Sequence, residues 1–510
     1  MYIIVSQDST LKPKCPISKR HHIPLVQRGH MPMSINLLPE DMLREIFNYS
    51  IPPGDSQIFS QNHWVPLGSR SIQVLILTHV CSRWRQIVLS MHYLWSTIRV
   101  SEYHRPNEVD FMHEWLSRAA AVPRTLFLAL EKGRIWRDDL DPIYTIFASY
   151  AFQKLSVFPD NVYDEEEDEF ETWIVLPNQL LEHLEELNIE ESKVIFPDDA
   201  KLPNLQRLSI TSQWEPGSFQ HYSTTIPWSQ IRHLTLSEIS LATNLLFSVL
   251  KQCLHLESCK IKITDHHCTP TPLRDITLPN LQSFELSTSY HSQTHVFGVE
   301  CMQRLIIPSI NILQLSLWNH TSVYSRFIEQ SGGMLHLHTL TLFRAEPADI
   351  WILLKQLPHL ESITVSRDLG SGIWQDLSTG RLGPRLKHIT CPVSSVKASL
   401  DFLKIRYHNA MRSTQQHDGW VSQPQITHFQ SATFKFSHGG KHFWDMIREA
   451  LESNGRGPYQ CLQWTFYGRL YRTYKKNYTL DDIEDISPVS MQVFINIGET
   501  QCNRGVAQQL

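Results

Sequence analysis

From Ile35 onward the chain carries two hydrophobic rhythms in succession. The first is helical. Met42, Leu43, Ile46 and Phe47 fall three and four residues apart, and so share one face of a helix. Leu37-Leu38-Pro39-Glu40-Asp41 opens that helix: proline is tolerated at the first helical position, and the two acids suit the positive end of the helix dipole. Turn residues then interrupt the pattern at Pro52-Pro53-Gly54-Asp55 and Pro66-Leu67-Gly68-Ser69, predicting a loop over 50–70. Val74, Leu77, Val80, Cys81, Trp84, Ile87 and Val88 predict a second helix, which Leu94–Ile98 closes. Residues 1–33 show no period and are expected to form a mobile tail.

The second rhythm is a repeat. The pattern L-x-x-L-x-L recurs as Leu184/Leu187/Ile189, Leu205/Leu208/Ile210, Ile231/Leu234/Leu236 and Leu256/Cys259/Ile261. It continues as Leu281/Phe284/Leu286, Ile312/Leu315/Leu317, Leu337/Leu340/Leu342 and Leu360/Ile363/Val365, with Leu386/Ile389 a weaker copy. First positions are 21 to 31 residues apart, the length of one strand plus a helix or turn in leucine-rich repeats. Leu-Pro-x-Leu introduces several copies, as in Leu202-Pro203-Asn204-Leu205 and Leu278-Pro279-Asn280-Leu281, the proline ending the segment before each strand. The asparagine of regular arrays, three residues after the last repeat leucine, is absent. Residues 98–160 are expected to supply irregular first repeats through Ile98, Val100, Leu126, Leu128 and Leu130. Beyond Arg406 the pattern decays, with strands expected at Gln430–Phe436 and Cys461–Phe466 and a helix at Phe443–Leu451. The fold class is therefore α/β: a helical segment (34–98), an irregular leucine-rich-repeat-like solenoid with a parallel sheet (99–406), and C-terminal repeats or a cap (407–510).

Composition narrows the function classes. A chain that is 42% hydrophobic with 14 Trp and 22 Phe is too apolar for wholesale disorder. A formal net charge of −5 and the lack of a basic stripe argue against nucleic acid. No apolar run approaches the roughly 18 residues of a membrane span, and the opening Tyr2-Ile3-Ile4-Val5 is too short for a signal peptide. The nine cysteines are scattered without a C-x-x-C pair, which in a chain lacking a secretion signal reads as free thiols in cytosol or nucleus.

Three separated anchors carry a family resemblance. Leu38-Pro39-Glu40-x-Met42-Leu43-x-Glu45-Ile46-Phe47, then Val80-Cys81-x-Arg83-Trp84-Arg85, then Leu94-Trp95 resemble the F-box of F-box proteins from mushroom-forming fungi. The loop at 50–70 is longer than in the compact F-box of other lineages. The resemblance implies that Leu38, Pro39, Leu43, Ile46, Phe47, Val80, Cys81 and Trp84 bind a Skp-type adaptor and, through it, a cullin. It also implies that the repeats present a protein substrate for ubiquitylation. An F-box scaffold acting without ligase activity is the alternative; whether cullin co-purifies separates the two. Packing of the same apolar residues against the first repeats is the competing structural explanation.

Other features point to no chemistry of their own. Asp164-Glu165-Glu166-Glu167-Asp168-Glu169 reads as a solvated, self-repelling loop. Asp265-His266-His267-Cys268 has adjacent histidines that do not easily reach one tetrahedral centre, so no metal and no cofactor are expected. Phosphate-loop, dinucleotide, nucleophile-elbow and zinc-protease motifs are missing, and no catalytic residue is assigned. A hydrolase or transferase within 410–510 would need a pocket with convergent polar groups there. For the substrate surface, the outward residues of each repeat strand are mostly small and polar. Trp318 and Phe343 are the exceptions, expected side by side on neighbouring strands as a substrate anchor, with Lys260 and Lys262 adding positive charge two repeats away; a loop or the C-terminal segment covering both rings is the alternative.

Overall fold

The structure is a computed structural model of the full chain. It describes residues 35–51, 69–101, 106–130, 135–136, 142–159, 173–190, 193–211, 218–240, 243–265, 275–288, 292–316, 321–393, 396–415, 426–427, 429, 431–436, 462–468 and 491–497. The chain divides into two compact units, Met1–Pro52 and Pro53–Leu510. The tail expected over 1–33, the acidic run, His266-His267-Cys268, Trp318 and the helix expected at Phe443–Leu451 lie outside the described residues.

In the first unit a 3-10 turn, Ile35–Leu37, leads into helix α1, Glu40–Ser50. Pro39 precedes it with extended backbone, and Glu40 and Asp41 occupy the first turn as the dipole favours. Glu40 pairs with Arg44 one turn on at 2.7 Å. Ile51 ends the helix by donating its N–H to the Phe47 carbonyl.

The second unit opens with two helices where the apolar period predicts one: α2, Ser69–Val80, and α3, Ser82–Ser90. Cys81 breaks the run. Its backbone is extended, and its Sγ accepts the Trp84 N–H at 3.5 Å, the job of an N-cap. Arg85 completes the corner by donating Nε to the Thr78 carbonyl, one of those left over at the end of α2. Trp95 then locks α3 to the strands: its Nε1 donates to the Val88 carbonyl at 3.0 Å, and its ring lies 4.6 Å from that of Trp115.

From there the unit is a mixed α/β architecture in which helices flank one large, mostly parallel sheet. Its strands are β1 (Thr97–Ser101), β2 (Thr125–Leu130), β3 (Lys154–Pro159), β4 (Glu186–Glu190), β5 (Arg207–Thr211), β6 (His233–Ser240), β7 (Ser258–Asp265) and β8 (Ser283–Thr288). They are followed by β9 (Ile312–Ser316), β10 (Thr339–Phe343), β11 (Ser362–Val365), β12 (His388–Pro392) and β13 (Ser431–Phe436). All of these neighbour one another in chain order. The last two, β14 (Leu462–Gly468) and β15 (Met491–Ile497), turn antiparallel, with β15 between β13 and β14. Most crossovers contain a helix: α4 (Pro106–Ser117), α5 (Pro142–Ser149), α6 (Asn178–Leu181), α7 (Ser218–Thr225), α8 (Thr243–Gln252), α9 (Ser292–Arg304), α10 (Thr321–Gln330), α11 (Pro347–Gln356), α12 (Gly370–Ser378) and α13 (Val396–Gln415).

The leucine pattern sets the register. Leu187, Leu208, Leu234, Cys259 and Phe284 lie side by side and buried, as do Ile189, Ile210, Leu236, Ile261 and Leu286 one step further along. One expected copy is shifted. Leu313 and Leu315 pair with Leu340 and Leu342, so the repeat reads Ile310/Leu313/Leu315 and not Ile312/Leu315/Leu317. Ile310 is fully buried while Ile312 is 48% exposed. Two apolar residues at a spacing of two made either reading fit the pattern; packing admits one. At the other end the same pattern runs further back than its leucines do. Phe152/Leu155/Val157 and Trp95/Ile98/Val100 are copies with an aromatic at the first position.

Hydrogen bonds tie the repeats together where the sequence lacks its expected asparagine. From Arg124 to Glu361, the carbonyl just before each strand accepts two N–H groups from the next repeat; the Glu257 carbonyl, for example, takes those of Gln282 and Ser283. Amide side chains add a second seam. Asn204 and Asn280, the asparagines of Leu-Pro-Asn-Leu, donate to the Glu182 and Leu254 carbonyls of the preceding repeat, and Gln330 bridges to Met302 and Leu305. The Met302 and Leu305 carbonyls are part-buried and need such a donor, whereas the two asparagine contacts lie at the exposed edge.

Candidate functional site

The residues expected to meet the adaptor separate by exposure. In the first unit Leu43 and Phe47 are fully buried. Leu38 is half-buried and Pro39 exposed, while Ile46 is 38% exposed beside exposed Met42 and Tyr49. In the second unit Val80 is 53% exposed, with Ile76 and Leu89 also exposed, whereas Cys81 and Trp84 are half-buried at the α2–α3 corner. The spacing rule could not make this distinction. It assigns residues to an apolar stripe but not to the covered or open half of it.

On the strands, the register differs from the one that would set Trp318 beside Phe343. The register places Ser316, not Trp318, beside Phe343. Trp318 lies outside the described residues, and Phe343 is half-buried at the end of β10. The two-residue shift of the β9 repeat is the cause. Lys260 and Lys262 do not present free charge either. Lys260 reaches Glu285 on β8 at 3.1 Å, and Lys262 reaches Glu238 on β6. Glu238 sits in the left-handed backbone region where the β6–β7 register slips, as in a bulge that re-aims a side chain.

Ion pairs of this kind run across the outward face. Glu186 on β4 is approached by Lys154 of β3 at 3.1 Å and by Arg207 of β5 at 3.6 Å. At the strand entrances Arg232 meets Glu257 and Lys387 meets Glu361, each at 2.8 Å. The Lys387 hydrogen bond and the nearby positive groups hold the Glu361 carboxyl below its ordinary range. His388 Nδ1 lies 2.8 Å from Ser431 Oγ on the next strand.

Inside, the thiols are inert. Burial pushes Cys253 up to about 12, and raises Cys259 and Cys301 as well. Arg406 is the other buried polar group that stands out. With no exposed surface, it donates to the carbonyls of Leu377, Gly383, Pro384, Leu386 and Thr427, and its guanidinium lies 4.9 Å from the Phe429 ring centroid. Burial lowers its pKa to about 10, so it stays charged at neutral pH. Among the described residues there is no group of three or more His, Cys, Asp or Glu placed to hold a metal ion. Nor is any helix among them long and apolar enough to cross a membrane. A shallow depression on the helical side, lined by Pro347, Trp351, Leu369, Ile373 and Asp376, has the Trp351 Nε1 donating to Asp376 at 3.1 Å.

Neither a scan against protein-family models nor a search of the curated proteins matches this chain. The functional reading therefore rests on its residues. Sequence reasoning missed Arg406 and the Asn204/Asn280 seam. A signal for the second was in plain view, since asparagine follows proline at equivalent positions of two repeats.

Proposed function

We propose that this chain is an F-box-type receptor: residues 34–98 dock on the Skp-type adaptor of a cullin–RING ubiquitin ligase, and the repeat array holds a protein substrate. The observation that carries the reading is that Ile46 and Val80, two of the motif's own anchor residues, lie open to solvent on short helices. Each has exposed apolar company on its own helix, Met42 and Tyr49 on α1 and Ile76 on α2, and grouped apolar exposure supports the binding of a partner. The three-anchor resemblance names the partner. In this reading the chain performs no chemistry. It raises the effective concentration of a substrate lysine near a ubiquitin-conjugating enzyme held elsewhere in the assembly.

The test is co-purification and titration calorimetry with a purified Skp-type adaptor. Ile46→Ala with Val80→Ala should weaken binding by about thirtyfold or more per residue, since truncating an interface anchor costs roughly 2 kcal/mol or more. Both residues are exposed, so the variant should keep the wild-type far-UV spectrum. Unchanged adaptor affinity in the folded double variant would refute the assignment. Cullin recovered with the wild-type chain and adaptor separates a ligase subunit from a scaffold.

A further inference from the structure

The outward face of the sheet divides by charge. On β3–β8 it carries Lys154, Glu186, Glu190, Arg207, Lys260, Lys262 and Glu285; Glu190 accepts from the Asn188 amide, and each of the others is met by an opposite charge from a neighbouring strand. On β9–β12 the outward positions within the described strands hold no Asp, Glu, Lys or Arg. There the registers align Gln314, Thr341, Thr364 and Thr390 in one row, and Ile312, Thr339, Ser362 and His388 in the next. All eight are at least partly exposed. Threonine is favoured on strands everywhere, but that preference does not separate the two halves, because the same sheet accepts charges at equivalent positions of β3–β8.

Several charges near this neutral strip are already engaged. Glu361 is held by Lys387 and Glu346 by Arg367, and Arg344, which follows Phe343, has a partner of its own. A phosphorylated or otherwise charged segment laid here would lose its hydration and meet no counter-charge from the described outward positions of β9–β12. Hydroxyls and a carboxamide, by contrast, each offer both donor and acceptor to neutral polar groups, and Ile312 and Phe343 supply apolar contact at either end of the strands. Four strands span roughly 15 Å, enough for about five residues of extended chain.

Resting on the reading of the array as a substrate receptor, the geometry points to β9–β12 as the docking face for an uncharged, unphosphorylated, extended polypeptide segment. The test uses the purified full-length chain on immobilised synthetic peptides in three sets: uncharged, phosphoserine-bearing and lysine-bearing. The uncharged set should retain the chain at least about tenfold better than either other set, a difference of about 1.4 kcal/mol. Thr341→Lys and Thr364→Lys should abolish that preference. Thr341→Asn, which stays neutral, and Ser209→Lys, on β5, should preserve it. Preference for the phosphoserine or lysine set, retention of none of the three, or equal loss from Ser209→Lys would overturn the proposal. Should the lysine variants not fold, the wild-type selection among the three sets decides it. Peptide selection needs no adaptor. A chain that selects neutral peptides but ignores the adaptor refutes the ligase reading alone, and the reverse result refutes this face alone.

Discussion

Along one row of the sheet lie Leu208, Leu234, Cys259, Phe284, Leu313, Leu340 and Ile363; along the row beside it, on the same strands, lie Ser209, Thr235, Lys260, Glu285, Gln314, Thr341 and Thr364. The inner row changes only among apolar residues, because each must fill a volume set by its neighbours. The outer row changes freely in size, charge and hydrogen-bonding capacity. Repetition in this chain is therefore a property of one face. The other face is free of that constraint, and substitutions on the two should differ accordingly.

The largest contrast is expected between Leu315→Ala and Thr341→Ala. The first leaves a cavity in the core and should destabilise the second unit by roughly 2–5 kcal/mol in denaturant unfolding. The second should stay within about 0.5 kcal/mol of wild type, as surface substitutions do. Cys253, Cys259 and Cys301 give an independent readout. Buried and held protonated, they should resist a thiol reagent until that unfolding transition. Equal destabilisation by the two substitutions would mean that the faces have been assigned wrongly.

Charge sharpens the comparison. Outward cations pair with carboxylates in water, whereas Arg406 is buried among carbonyls. Arg406→Met keeps much of the volume but strips donors from several backbone acceptors, each costing about 1–3 kcal/mol when left unpaired in the interior. With the cost of burying the charge removed at the same time, a net loss of roughly 2–4 kcal/mol is expected. A stabilised variant would show that the charge is a burden the fold merely tolerates.

The amide seam is intermediate. Asn280→Ala should cost about 1 kcal/mol, and Asn204→Ala should add to it nearly independently, since the two lie several repeats apart. Coupling between them would contradict the repeat-by-repeat picture.

The smallest effect belongs to the exposed pair Lys387–Glu361. Its folded carboxyl sits below the ordinary 4.5, so whatever stability it gives is present above that value and lost as pH falls through the lowered one. Glu361→Gln should therefore differ from wild type by less than about 1 kcal/mol at neutral pH, and by nothing in strong acid. A difference that grew on acidification would reverse the assignment.

The alternation of leucines by itself determined that residues beyond the first helices form parallel strands separated by crossovers, and which side chains face inward. That information is local: a period of two and a spacing of some twenty-five residues survive without knowledge of neighbours. The helix predicted through Val74–Val88 needed more, because its apolar period continues across Cys81 while the backbone does not. The β9 copy needed more again. Ile310, Ile312, Leu313, Leu315 and Leu317 satisfy the pattern in two frames, and only the fit of Leu313 beside Phe284 and Leu340 selects one, setting Ser316 beside Phe343. Exposure of Ile46 beside buried Phe47, partners for Lys260 and Lys262, and the carbonyls gathered around Arg406 were likewise decided in three dimensions. Each depends on residues tens of positions apart, and a one-dimensional period contains no term for them.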